Sequence, residues 1–262
     1  MSIKENINQA RVRVEDEQEI VDGKIDGFDS FIDRVTELSV ESPSSTAPGI
    51  TATGGGHFGA DSSADDRCRA VRTAFAETVH PHSLNDIDGS ESLLETIRSE
   101  FTNSVAVALA PTTETSFSTE LKEILLSEAN ARRAEVSIFS QVLTDETTRI
   151  DAACEAVDEM TQWIVTVDQT PLTDEGFDEL RERHERLCRY RDRCDELVQQ
   201  RQAFIQTSTS ESADIGIQHE QLVSYLYQDL PVEYPILSTL TRLYTVCAEC
   251  QDVVRQHLLR RA

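Results

Sequence analysis

Apolar residues recur every seven positions along much of this 262-residue chain. At the start, Ile7, Val14, Val21, Phe28 and Val35 form one seam. Ile3, Ala10, Phe31 and Leu38 form a second, which Glu17 and Lys24 interrupt. Two seams at heptad spacing predict a coiled-coil helix over 3–38. Gly23 and Gly27 lie inside it, and each weakens an isolated helix by about 1 kcal/mol relative to Ala. Residues 39–60 are rich in Ser, Thr, Pro and Gly and read as a flexible linker.

Two short helices follow in 61–112. The first opens at Ser62 or Ser63, with Asp65 and Asp66 placed for a capping box, and carries Cys68, Val71, Phe75 and Val79 on one face. The second starts near Asp88 or Ser90, carries Leu93, Leu94, Ile97, Phe101 and Val105, and stops at Pro111. The longest element spans 118–167. Val136, Leu143, Ile150, Val157 and Ile164 stand seven apart, with Phe139, Glu146, Ala153, Met160 and Val167 three residues after each. One charge in ten such positions is a strong coiled-coil pattern. Pro171 forbids continuation, and Thr173 is placed as an N-cap for a helix over 174–206. There the expected seams are Phe177, His184, Arg191, Val198 and Ile205, and Leu180, Leu187, Cys194 and Arg201. The short connection makes the two long helices antiparallel neighbours.

After the polar loop at 207–214, Leu222, Tyr225, Leu226 and Leu230 mark a short helix ended by Pro231. Pro235 suits the first turn of the last helix, which carries Ile236, Leu240, Leu243, Cys247, Cys250, Val254 and His257 at heptad positions. No stretch alternates like a strand. The expected fold is all-α, an elongated antiparallel helical bundle built on a coiled-coil hairpin with no sheet. The expected parts are an N-terminal helix (1–38), the linker (39–60), two short helices (61–112), the long hairpin (113–208) and a C-terminal helical unit (209–262).

Charge changes the picture next. The chain has 48 acidic residues against 24 basic ones, a formal net charge of −24, and only three of the basic residues are Lys (Lys4, Lys24 and Lys122). Such acid excess suits molar salt, where the Debye length is about 3 Å and carboxylates repel one another little. It disfavours a general nucleic-acid binder, whose phosphate affinity needs excess Lys and Arg. No apolar run reaches the 18 or so residues of a membrane helix, and the start has no signal-peptide core. A halophilic cytoplasmic protein is the expectation.

Candidate chemistry is sparse. Six cysteines are present, at 68, 154, 188, 194, 247 and 250. Cys247 and Cys250 form a C-x-x-C on one helical face, and His184 with Cys188, at i and i+4, could complete a four-ligand zinc site. The alternative is that Cys247 and Cys250 pack as small hydrophobes between Leu243 and Val254, and this reading is preferred. Cys188 and Cys194 face different ways, because six residues turn a helix by about 600°. The arginine-rich run 181–194 is balanced across 178–201 by an equal number of acids, which fits a solvated coiled-coil face. Gly54-Gly55-Gly56-His57 lacks the Lys-Ser/Thr of a P-loop, and His80-Pro81-His82 reads as a turn. No catalytic motif, cofactor-binding residue or metal site is assigned.

The C-terminal run His219-x-x-Leu222-Val223-x-Tyr225-Leu226-Tyr227-x-Asp229-x-Pro231-Val232-x-Tyr234-Pro235-x-Leu237, followed by Cys247-x-x-Cys250-Gln251 and Val254-Arg255-x-His257-Leu258, resembles an uncharacterised haloarchaeal family known only as a domain of unknown function. The pieces Arg67-Cys68-Arg69, Phe75-Ala76-Glu77-Thr78-Val79, Leu109-Ala110-Pro111-Thr112-Thr113 and Thr170-Pro171-Leu172 resemble it too. The resemblance implies one family over most of the chain and carries no activity with it.

The expected function is therefore non-enzymatic: a protein–protein interaction or scaffold module, partnered or self-associating through its heptad seams. A thiol-based metal or redox sensor using Cys247 and Cys250, with His184, Cys188 and His257 as further candidate residues, is the alternative. A DNA-associated regulator comes third.

Overall fold

The computed structural model describes residues 3–40, 61–83, 92–113, 115–206 and 219–261, with backbone alone for 61–66. The expected linker beyond residue 40, its glycine run, the Ser62/Ser63 cap, the Asp88/Ser90 start and the loop at 207–214 lie outside what is described. Among the described residues the elements are α-helices and one 3₁₀ turn, with no strand. They are α1 (Glu5–Glu37), α2 (Asp61–Thr78), the 3₁₀ turn His80–His82, α3 (Leu93–Glu100), α4 (Asn103–Ala108), α5 (Thr119–Val167), α6 (Phe177–Gln206), α7 (His219–Tyr227) and α8 (Pro235–Arg261). The protein is all-α.

The chain forms two compact units, Met1–Gln18 with Gln141–Ala262, and Glu19–Ser140. Their limits fall within α1 and α5.

In the first unit, α1 runs antiparallel to α5. Lys4 pairs with Asp158 and Arg11 with Asp151, rungs seven residues apart on each helix. These exposed pairs add little energy but mark the register. Ile7, Ala10 and Val14 are buried beneath them. Helices α5 and α6 are antiparallel as well: Glu146 meets Arg201, Met160 meets Cys194, and Trp163 meets Tyr190. Helix α8 lies along α6, with Tyr244 and Gln251 against Arg191.

In the second unit, α1 and α5 again meet at heptad intervals, through Asp22 with Ser140 and Asp29 with Arg133. Lys122 Nζ donates to the Thr36 and Leu38 carbonyls at 2.7 and 2.8 Å, closing the C-terminus of α1. The core is aromatic: Phe28, Phe31, Phe75 and Phe101 pack with ring centroids 5.5–6.2 Å apart. Gly27 lets α1 approach the end of α2, since a Cβ there would lie 2.5 Å from the Thr78 carbonyl oxygen.

Several local expectations are corrected. The single helix ending at Pro111 is two, because the chain turns extended at Thr102 while Phe101 enters the aromatic core. Helix α3 starts at a full capping box made by Ser92 and Glu95, a pattern present in the sequence. Helix α6 begins at Phe177 rather than 174, with the Glu179 carboxylate accepting the Gly176 N–H at 2.5 Å, and Thr173 bonding Asp174 instead of capping.

A further correction concerns α6: the seam Leu180, Leu187, Cys194 and Arg201 is buried as expected, but the seam beside it is Tyr190, Leu197 and Phe204 in place of the one through Phe177. Phe177 is 46% exposed, and His184, Arg191, Val198 and Ile205 are only partly buried. The helix packs on both α5 and α8, and the larger aromatic residues take the drier face. The last is in α8, where the buried position is Gln251 rather than Cys250, which is half-buried.

Candidate functional site

The cysteines separate into distinct environments. Cys247 and Cys194 are buried. Burial pushes the Cys247 thiol up to about 12, with Cys194 and Cys250 adding to the effect, and pushes Cys194 up to about 11. Cys194 donates to the Met160 sulfur at 3.8 Å. Burial also raises the Cys250 thiol.

Cys188 lies elsewhere on α6. It is half-buried, accepts a hydrogen bond from the Gln251 amide and sits 3.9 Å from His184 Nδ1. The structure thus joins His184 to Cys188, as the i,i+4 spacing predicts. His257 is partly buried near the end of α8. Among the described residues no group of three or more His, Cys, Asp or Glu could hold a metal ion.

The arginine-rich run of α6 does two jobs. Arg181 and Arg193 make the i,i+3 or i,i+4 pairs expected of a solvated face, with Asp178, Glu185 and Glu196. Arg183 instead pairs with Glu175 at 2.7 Å, with both side chains mostly buried. Arg191 reaches α8, donating to Gln251 Oε1 at 2.7 Å and Tyr244 Oη at 2.5 Å. Arg186 lies over Trp163 at 5.0 Å from its ring centroid, and its Nε donates to Tyr190 Oη at 3.0 Å. Trp163 and Tyr190 meet edge to face at 5.3 Å.

Beside this cluster, α5 and α6 enclose an open groove of about 600 Å³. One wall carries Glu155 and Glu159 from α5; the other carries Arg186, Arg189 and Arg193 from α6. Ala152, Ala156 and Met160 lie between them. Tyr190 joins the walls, accepting from Arg186 and donating to Glu159 at 3.4 Å. Burial raises the pKa of its phenol, with the Glu159 carboxylate adding to the rise against Arg186, so the hydroxyl stays protonated and keeps its donor role.

Further along the hairpin, Arg201 makes a bidentate pair with Glu146, at 2.5 and 2.7 Å, and Tyr227 of α7 donates to the same carboxylate at 2.5 Å. Burial and the Glu146 charge hold the Tyr227 phenol far above its ordinary pKa. This cluster ties α5, α6 and α7 together. Heptad spacing puts Glu146 and Arg201 on separate seams and does not pair them. A hairpin turn centred near Thr173 places these two positions opposite each other, and that symmetry was the available signal.

Helical hairpins tied by buried polar groups define an all-α class of architecture. The chain belongs to the family described as a domain of unknown function, DUF7260, which it matches over residues 5–251. No curated protein and no solved structure matches it.

Proposed function

We propose that the chain is a non-enzymatic helical interaction module that binds a partner protein in the α5–α6 groove. The observation that carries this reading is the cluster of Trp163, Tyr190 and Arg186 at the groove's edge. Trp, Tyr and Arg are the residue types that dominate binding energy at protein interfaces. The heptad seams are largely buried within the chain itself, so the groove, rather than an open seam, is the surface offered. Its occupant is a helix with carboxylates toward Arg186, Arg189 and Arg193, basic groups toward Glu155 and Glu159, and small apolar residues over Ala156. Opposed walls of opposite charge would fix the orientation of such a helix.

The acid excess and near-absence of Lys support a halophilic, archaeal cytoplasm as the setting. The thiol-sensor alternative, with zinc on Cys247, Cys250, Cys188 and His184, draws less support, because Cys247 is fully buried and its thiol is held protonated.

Affinity capture in molar KCl from the native host tests the proposal, with wild-type chain compared against Trp163→Ala and Arg186→Glu. A stoichiometric partner lost from both variants, with their helical spectra intact, is expected. Light scattering on the same samples identifies a second copy as the occupant if the mass doubles. A monomer that captures the same proteins with or without the substitutions would refute the reading.

A further inference from the structure

A second cavity, of about 410 Å³, lies between α5, α6 and α8. This is within the usual size range of small-molecule sites, which are mostly apolar with a few placed polar groups. Its apolar lining includes Leu197, Phe204, Ile236 and Leu240, and Arg149, Gln200 and Arg201 supply its polar groups. The two arginines differ. Arg201 is committed to Glu146 through both terminal nitrogens.

Arg149 donates to the Asp145 carbonyl of its own helix at 2.7 Å, and its guanidinium lies 3.6 Å from the Phe204 ring centroid. Among the described residues it meets no carboxylate. Among the described residues it therefore brings a positive charge without a carboxylate partner to the edge of an apolar cavity. The Phe204 ring packs against the guanidinium, whose planar fork suits two-point recognition of a carboxylate.

We infer that this cavity binds a small organic anion: a carboxylate held by Arg149, with an alkyl or aryl body against Leu197, Ile236 and Leu240. Gln200, on the same lining, supplies a second donor for the head group. Binding is a simple association with no covalent step, and it is independent of whether the α5–α6 groove takes a protein.

Isothermal titration of the full chain in molar KCl, with octanoate as the probe, tests the site. Octanol keeps the body and lacks the charge; acetate keeps the charge and lacks the body. Octanoate is expected to bind at least about tenfold more tightly than either. Arg149→Gln should weaken octanoate binding about tenfold or more and leave octanol unchanged, while Arg149→Lys keeps part of the affinity. Arg149 is partly exposed, so both variants should fold, and circular dichroism verifies that. No octanoate binding by the wild type, or equal binding by wild type and Arg149→Gln, would overturn the inference.

Discussion

Glu146 of α5 and Arg201 of α6 form a bidentate ion pair whose side chains are 0% and 5% exposed. Both charges are desolvated, so the pair is held by its geometry and by the Tyr227 hydroxyl on the same carboxylate. Breaking it from one side strands a buried charge. Arg201→Met should therefore cost about 3–5 kcal/mol of unfolding free energy in denaturant titrations. Replacing both partners, as Glu146→Leu with Arg201→Met, should recover most of that loss. Tyr227→Phe removes one hydrogen bond to a charged group and should cost about 1.5–3 kcal/mol. A double variant no better than Arg201→Met alone would show that the pair contributes more than its desolvation takes away.

The pair also shows what was legible in advance. Period-seven spacing placed Val14, Phe28, Leu143 and Val157 in the core, and all are buried. Helix type and rough limits follow from that spacing, because one buried face repeats along each element. Partners do not follow from it. Lys24 interrupts the α1 seam because it reaches Glu100, and Glu17 because it meets Arg13 and the Tyr225 hydroxyl. Each polar interruption has its reason on another helix, at a sequence distance that periodicity cannot span. Trp163 escaped notice on the same ground, since it stands on no seam, and Arg186 was read only as part of a solvated arginine-rich face.

The two glycines of α1 should respond oppositely to a methyl group. By helix propensity alone, Ala is better than Gly at both by about 1 kcal/mol. At Gly27 the new Cβ would lie 2.5 Å from the backbone oxygen of Thr78, which cannot move without shifting α2. At Gly23 it meets the exposed ring of His82, at 2.7 Å, and a side chain can swing aside. Gly27→Ala should destabilise by about 1–3 kcal/mol. Gly23→Ala should be neutral or stabilising. Equal stabilisation by both substitutions, read from melting temperatures, would mean that α1 and α2 do not approach as described.

Glu100 gives the second unit an acid-sensitive tie. Burial alone would raise its pKa, but Lys24 at 2.5 Å and Arg132 at 3.0 Å outweigh that and hold the carboxyl below its ordinary range. A depressed folded-state pKa contributes stability that is complete above the unfolded value, near 4.3, and is lost as pH falls through the folded value. Glu100→Gln should be less stable than wild type by at least about 1.5 kcal/mol at neutral pH. The difference should shrink below pH 4, as the wild-type carboxyl takes up its proton. A constant difference from pH 7 to pH 3 would contradict this assignment.

The thiols should divide by reactivity. Alkylation proceeds through the thiolate. With pKa values near 11 and 12, Cys194 and Cys247 are ionised at pH 8 to only about one part in 10³ and 10⁴. Both are also buried. Iodoacetamide at pH 8 should leave them unmodified in the folded chain, by peptide mass mapping, and modify them fully after unfolding. Half-buried Cys188, beside Gln251 and His184, should react before either. Early labelling of Cys247 would revive its case as a redox or metal-binding thiol.

Net charge sets the last expectation. At about 1 M salt the Debye length is near 3 Å, so the carboxylates beyond immediate contact act independently; at 0.01 M it is about 30 Å, longer than the spacing of helices in either unit. Desalting therefore turns on repulsion among an excess of 24 negative charges, while the buried ties at Glu146 and Glu100 are screened little in either condition. Repulsion favours the expanded state, so helicity should fall on dialysis from molar KCl into dilute buffer and return when salt is restored. The surface should yield before the ties: substituting exposed acids by Gln should lower the salt needed to hold the fold, whereas Arg201→Met should weaken the fold at every salt concentration. A far-ultraviolet circular-dichroism spectrum that does not change between 2 M and about 0.01 M KCl would remove salt from the account of this protein's stability.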